Sequence, residues 1–379
     1  MKTIKSFVIP IAVGAMVGAI FGLFILNTGP EKPDLFTFFI HLFAGFIGLV
    51  LSFVLHIFIH EIGHLIAGKI SGYSFVSIRF FNVMFIKKDG QWERKKYNLV
   101  GAPGQCLMCP PEPIDGKFPF ILYNLGGALM NIIFGGLALA SYFVFPIGAG
   151  LWWVFIPFAF VGIIVGIINI IPLSGTVPND GHNIVMLGKN EVARRAFWLV
   201  LYINAQITKG LRFRDVVLQE QLDFLNSDDP NDEHRNNSVI ASARTFQIGW
   251  LMDMQRFKEA KNFIEHFLKS TEKLPEIYKN ELNCELLFLE LIDECRKEEI
   301  ERLYTEDLQK YIKATASYMS RQRLLYAYFK LFLNDETQAT KTLEKFNKTC
   351  TFTPLIGEIA AERELIELVD NLANNRIKQ

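Results

Sequence analysis

Two histidines and a glutamate stand together in an otherwise apolar stretch, as His60-Glu61-Ile62-Gly63-His64. On an α-helix the i, i+4 spacing puts both imidazoles on one face. There two ring nitrogens can share a Zn²⁺ ion, and Glu61 beside them can accept a proton from a water that the metal makes acidic. On a solvated helix such a trio also arises by chance. Here it closes an apolar run, Leu35 to Ile59, long enough to cross a bilayer. An ionisable Glu at the end of such a run is costly unless it has a function and water nearby.

A catalytic zinc takes three protein ligands and leaves one position for water. The carboxylate on the membrane side of the later chain is Asp180, which follows Asn169-Ile170-Ile171-Pro172 and Pro178-Asn179 and precedes Gly181. The two prolines and Gly175 break the preceding apolar helix, which brings Asp180 to the depth of His60 and His64. Asp180 is therefore expected as the third ligand; capping of the helix that begins at Gly181 is the plain alternative and does not exclude ligation. His56, one turn before His60, reads as a residue that supports a ligand or packs a helix rather than as a fourth ligand. His41 reads as packing.

The elements that must position these groups are mostly membrane spans. Phe7 to Leu26 is an uncleaved anchor by its length, and Leu35 to Ile59 is a second span. Phe118 to Asn179 carries no charge over about 60 positions, which suits two spans joined at Pro146-Ile147-Gly148-Ala149-Gly150. Trp152 and Trp153 suit either an interfacial anchor or plain core. The basic residues Lys69, Arg79, Lys87, Lys88, Arg94, Lys95, Lys96 and Lys117 all lie between spans two and three, which places that loop and both termini in the cytoplasm. Within the loop, 73–80 and 83–86 are rich in β-formers and Lys88-Asp89-Gly90-Gln91 marks a hairpin turn, so strands with an edge to offer a substrate are expected there. Cys106-Leu107-Met108-Cys109 is a lone pair of cysteines, read as part of a loop rather than as a metal or redox site.

A membrane-embedded HExxH followed two spans later by N-x-x-P and Asp-Gly resembles the site-2 protease family of intramembrane zinc metalloproteases, over roughly residues 35 to 185. The resemblance implies His60, His64 and Asp180 as zinc ligands and Glu61 as the catalytic base. It adds Asn131, in Gly127-Ala128-Leu129-Met130-Asn131, as a cleft residue matching the family's G-P-x-x-N element. Asn131 would then meet the substrate backbone or oxyanion, or else satisfy a neighbouring helix. Ala128 stands where the family has Pro, and the interval from Asn169 to Asp180 is about three residues longer than the family's.

Charge separates the rest. The chain holds 39 basic and 39 acidic residues, but only about 19 of these 78 fall at or before Asp180. That balance excludes an electrostatic nucleic-acid binder, and five scattered cysteines exclude a disulfide scaffold. Glu191 to Thr208 reads as an interfacial helix, with a fifth span as the alternative, and 226–238 as a polar linker. Leu251 to Phe267, Leu286 to Tyr304 and Tyr328 to Phe346 recur near 40 residues, similar to tetratricopeptide repeats. An irregular helical bundle is the other reading.

The expected fold is mainly α: a membrane helix bundle of about four spans with a small surface β element, then a cytosolic helical-repeat domain. The divisions are 1–185 for the membrane core, 186–238 for interfacial helix and linker, and 239–379 for the repeats. The expected function is hydrolysis of a peptide bond in or beside a membrane segment by one catalytic Zn²⁺. Its substrate would be a membrane-tethered regulator, a signal-peptide remnant or a peptide precursor, its setting a bacterial plasma membrane. A regulatory protein could dock on the C-terminal helices. The alternatives are an inactive adaptor that holds a client through those helices, and a metal transporter, which would need polar residues spread through more spans.

Overall fold

The computed structural model describes residues 34–88, 90–97, 102–144, 151–173, 178–216, 225, 237–271 and 274–377. The expected first span at 7–26, the turn at 146–150, Asp89 of the hairpin and most of the polar stretch 226–238 lie outside the described residues. Among these residues the chain is mainly helical with one small antiparallel sheet. Among the described residues, three helices are long and apolar enough to cross a membrane: α1 (Leu35–Ile70), α2 (Ile121–Val144) and α3 (Trp152–Ile170). They coincide with the second, third and fourth spans expected from the apolar runs. The chain divides into two compact units, Met1–Ile66 with Leu125–Pro172, and Ala67–Asn124 with Leu173–Gln379.

The first unit turns much of its apolar surface outward. Phe39, Phe43, Phe46, Leu51, Leu55, Ile133, Leu137 and Ile168 are all exposed, as suits side chains meeting lipid tails rather than water. Lipid gives no hydrophobic force between helices, so they cohere where small residues let backbones touch. Gly63 of α1 lies against the Gly126 carbonyl of α2, and Gly48 of α1 against the Trp153 carbonyl of α3; a Cβ at either would sit 2.3 or 2.0 Å from that oxygen. Trp152 is buried among Phe38, Leu49, Tyr142, Trp153 and Ile156, with the His41 ring edge-on to it. Of the two readings of Trp152, core is the one that matches this packing.

In the second unit, β1 (Ser74–Phe80), β2 (Val83–Lys88), β3 (Gln91–Lys96) and β4 (Gly104–Cys109) form one sheet in the order β3-β2-β1-β4. The hairpin pairs Lys88 with Gln91, and Gly90 takes the left-handed conformation its turn requires (φ 83°). β4 was expected as loop; it pairs antiparallel with β1 from Phe80↔Gly104 to Ser74↔Cys109. The wholly buried Arg79 ties the sheet to the incoming chain by donating to the carbonyls of Phe81, Ala102 and Gly104.

Next come α4 (Asp180–Lys189), α5 (Glu191–Lys209), the single turn α6 (Phe213–Val216) and α7 (Ser238–Asp253). They are followed by α8 (Phe257–Ser270), α9 (Glu276–Ile292), α10 (Lys297–Leu303), α11 (Glu306–Ala314), α12 (Met319–Ala327), a π-helical turn (Tyr328–Phe332), α13 (Glu336–Phe352) and α14 (Ile356–Ile377). α5, expected at a membrane surface, buries Ala193, Ala196, Leu199, Ile203, Ala205 and Ile207 in protein. It packs on β4 and β1 as well as on α7 and α14, so sheet and C-terminal helices share one core.

Candidate metal centre

α1 carries the histidine pair near its C-terminal end. With His60 and His64 one turn apart, their Nε2 atoms stand 3.1 Å from each other and the rings are nearly perpendicular. Two nitrogens each about 2.05 Å from a tetrahedral metal are separated by about 3.3 Å, so the pair already has the spacing that a shared ion requires. Glu61 and His64 are 7% and 8% exposed, His60 somewhat more. Glu61 adjoins both histidines along the helix, next to one and three residues from the other.

The His60 ring lies flat against α2 where that helix has no side chain. A Cβ at Gly127 would come within 2.5–2.6 Å of three atoms of the imidazole. One turn further along α2, Asn131 is wholly buried, and both ends of its amide face imidazoles: Oδ1 is 3.1 Å from His56 Nδ1, and Nδ2 is 3.3 Å from His60 Nδ1. His56 is 1% exposed, with its Nε2 2.9 Å from the Phe158 carbonyl of α3. Its ring too rests on a glycine, since a Cβ at Gly162 would stand 2.4 Å from the ring. His56, His60 and Asn131 thus form one connected polar group inside an apolar three-helix bundle.

Asp180 is the first residue of α4. The cap of that helix is its neighbour: the Asn179 side chain accepts from the His182 backbone N–H at 3.0 Å and also from Leu173 N–H at 3.1 Å. Capping therefore does not need the Asp180 carboxylate. One ligand atom each from His60, His64 and Asp180 lie within 4.8 Å of one another, a donor set of two imidazoles and a carboxylate that fits zinc. Asn169 spends its side-chain N–H on the Val165 carbonyl of its own helix.

The two cysteines at 106 and 109 are separated by three positions in β4, and an odd separation in a strand points side chains to opposite faces. They cannot chelate one ion together, and burial pushes the Cys109 thiol above the usual range. Of the residues in the polar group, Gly127 and Gly162 carried no chemical signal of their own. The spacing of Gly127 and Asn131, one turn apart on one face of α2, is the mark that could have paired them.

No protein-family model, no curated protein and no solved structure matches the chain.

Proposed function

We propose that this chain is an intramembrane zinc endopeptidase of the site-2 protease type, acting on a peptide bond in or beside a membrane segment. The observation that carries the reading is the convergence of His60, His64 and Asp180, two imidazoles and a carboxylate, with the buried Glu61 beside the pair. His60, His64 and Asp180 would hold the ion. Bound there, zinc supplies a Lewis acid that polarises the scissile carbonyl and lets water attack an amide at neutral pH.

Glu61 accepts the proton of the attacking water and hands it to the leaving amide nitrogen. A helical substrate hides its carbonyls in its own hydrogen bonds and has to unwind first; β3, among the described residues the outermost strand on its side of the sheet, offers an edge on which the unwound segment can pair. In this reading the chain lies in a plasma membrane with both termini in the cytoplasm and four spans in all, which the three apolar helices and the basic loop support, and the C-terminal helices form a repeat array that binds a regulatory protein.

The test is Glu61→Gln in cells, with zinc measured on the purified protein. That change keeps all three ligands and removes the base, so zinc content stays at wild-type level while cleavage falls by about a thousandfold or more. The expected result is a membrane protein or signal-peptide remnant that accumulates whole in the variant and is cut in the wild type. Matching membrane and small-peptide proteomes would overturn the protease reading and leave the adaptor.

A further inference from the structure

We propose that His56 and Asn131 are positioning residues which decide the nitrogen that His60 offers to the metal. This deepens the zinc reading and rests on it. A carbonyl only accepts, so His56 Nε2, 2.9 Å from the Phe158 carbonyl, carries a hydrogen. Almost fully buried between apolar helices, the imidazole keeps that one hydrogen rather than stand there as a cation. Its Nδ1 is then an acceptor, and the amide end that faces it must donate.

The two ends of an amide have the same shape, and their neighbours decide which points where. With Oδ1 toward His56, two acceptors would meet at 3.1 Å. A half-turn about the last side-chain bond exchanges the ends without moving Asn131. The NH₂ group then donates to His56 Nδ1, and the oxygen accepts from His60 Nδ1–H. Every hydrogen bond along the chain Phe158, His56, Asn131, His60 now joins a donor to an acceptor. A neutral His60 that donates from Nδ1 has its lone pair on Nε2, the atom 3.1 Å from His64 Nε2. The opposite tautomer would place a hydrogen where the ion has to bind. A carbonyl on α3 thereby selects the ligand atom on α1 through one residue of α2.

The experiment measures zinc affinity of the full-length chain in detergent by competition with a chromogenic chelator, with the thermal midpoint as a check of folding. Asn131→Leu is expected to weaken zinc binding by about 10- to 100-fold, and His56→Leu to weaken it as well. In an Asn131→Asp background, His56→Leu should have no further effect. A carboxylate presents an acceptor to His60 in either orientation and needs no orienting partner. A purely structural His56 would cost the same in both backgrounds, and that result, or wild-type affinity in Asn131→Leu, overturns the proposal. Should Asn131→Leu fail to fold, the comparison of His56→Leu in the Asn and Asp backgrounds still decides. A wild type that binds no zinc brings down the underlying metal reading, whereas a wild type whose zinc is lost in His60→Ala but kept in Asn131→Leu brings down this proposal alone.

Discussion

Replacing Gly127 by Ala tests the centre without touching a ligand. A Cβ there would stand 2.5–2.6 Å from three atoms of the His60 ring, where ordinary carbon contacts are about 3.5–4.0 Å. About 1 Å has to be found. Parting the helices to supply it would give up the close backbone packing of Gly63 on the Gly126 carbonyl one residue away, which is what holds α1 on α2 there. The ring therefore moves, and by several times the roughly 0.2 Å within which metal–ligand distances are held.

Gly127→Ala is expected to lower zinc affinity at least about tenfold, equivalent to about 1.4 kcal/mol, and to cost about 1–3 kcal/mol of stability through overpacking. Gly136 lies on the same helix with nothing within 4 Å of an added Cβ, so Gly136→Ala is the matched control, expected to leave both quantities within error. The assays are chelator competition for zinc and thermal unfolding in the same detergent. Wild-type affinity in a folded Gly127→Ala protein would refute the packing argument, and with it the role given to the Gly127–His60 contact.

Three further predictions concern the C-terminal helices. Asp253, whose side chain is 1% exposed, accepts from Arg212 Nη2 at 2.5 Å and from the Arg214 backbone N–H at 3.0 Å, with Glu364 bonded to both arginines; Asp253→Ala leaves the two cations with Glu364 as their shared carboxylate and is expected to cost about 3 kcal/mol in denaturant unfolding. Glu290, also 1% exposed, is bonded by Arg296 and Lys261, which hold its carboxyl down to about 2. A depressed carboxylate stabilises the fold above its unfolded value of about 4.5, so at most about 3 kcal/mol disappears as pH falls from there toward 2, and Glu290→Gln abolishes that part of the acid transition. Glu358 behaves oppositely: burial and the neighbouring carboxylates of Glu362, Glu281 and Glu285 push it up to about 8. The folded chain then keeps a proton that the unfolded chain loses between about pH 4.5 and 8, stability declines across that window, and Glu358→Gln is expected to unfold at a higher temperature than the wild type at pH 9 but not at pH 4.

Much of this was legible in the chain because the membrane leaves few choices. Uncharged runs of twenty residues can only be helices there, and α1, α2 and α3 fall on the runs read as spans. The His60 and His64 pairing was legible for the same reason: one helix carries both, and helical periodicity alone puts their rings on one face. The hairpin of β2 and β3 was marked by its turn residues. β4 was not, since Gly104-Gln105-Cys106-Leu107-Met108-Cys109 has little β-former content and becomes a strand by pairing with β1. Nor was the setting of α5, whose mixed pattern of apolar and basic residues suits a membrane surface as well as a core shared with the sheet.

What the sequence by itself determined are the properties that depend on neighbours along the chain: the spans, the split between an apolar half and a charged half, the histidine spacing. Which residues surround His60 was decided by tertiary structure alone. That Gly127 opens space for its ring, that Asn131 faces two imidazoles and that His56 leans on the Phe158 carbonyl all depend on how three helices are rotated about their axes. A rotation of 100° moves each contact to the adjacent residue, and only the interlocking of small and large side chains across the bundle selects the rotation observed.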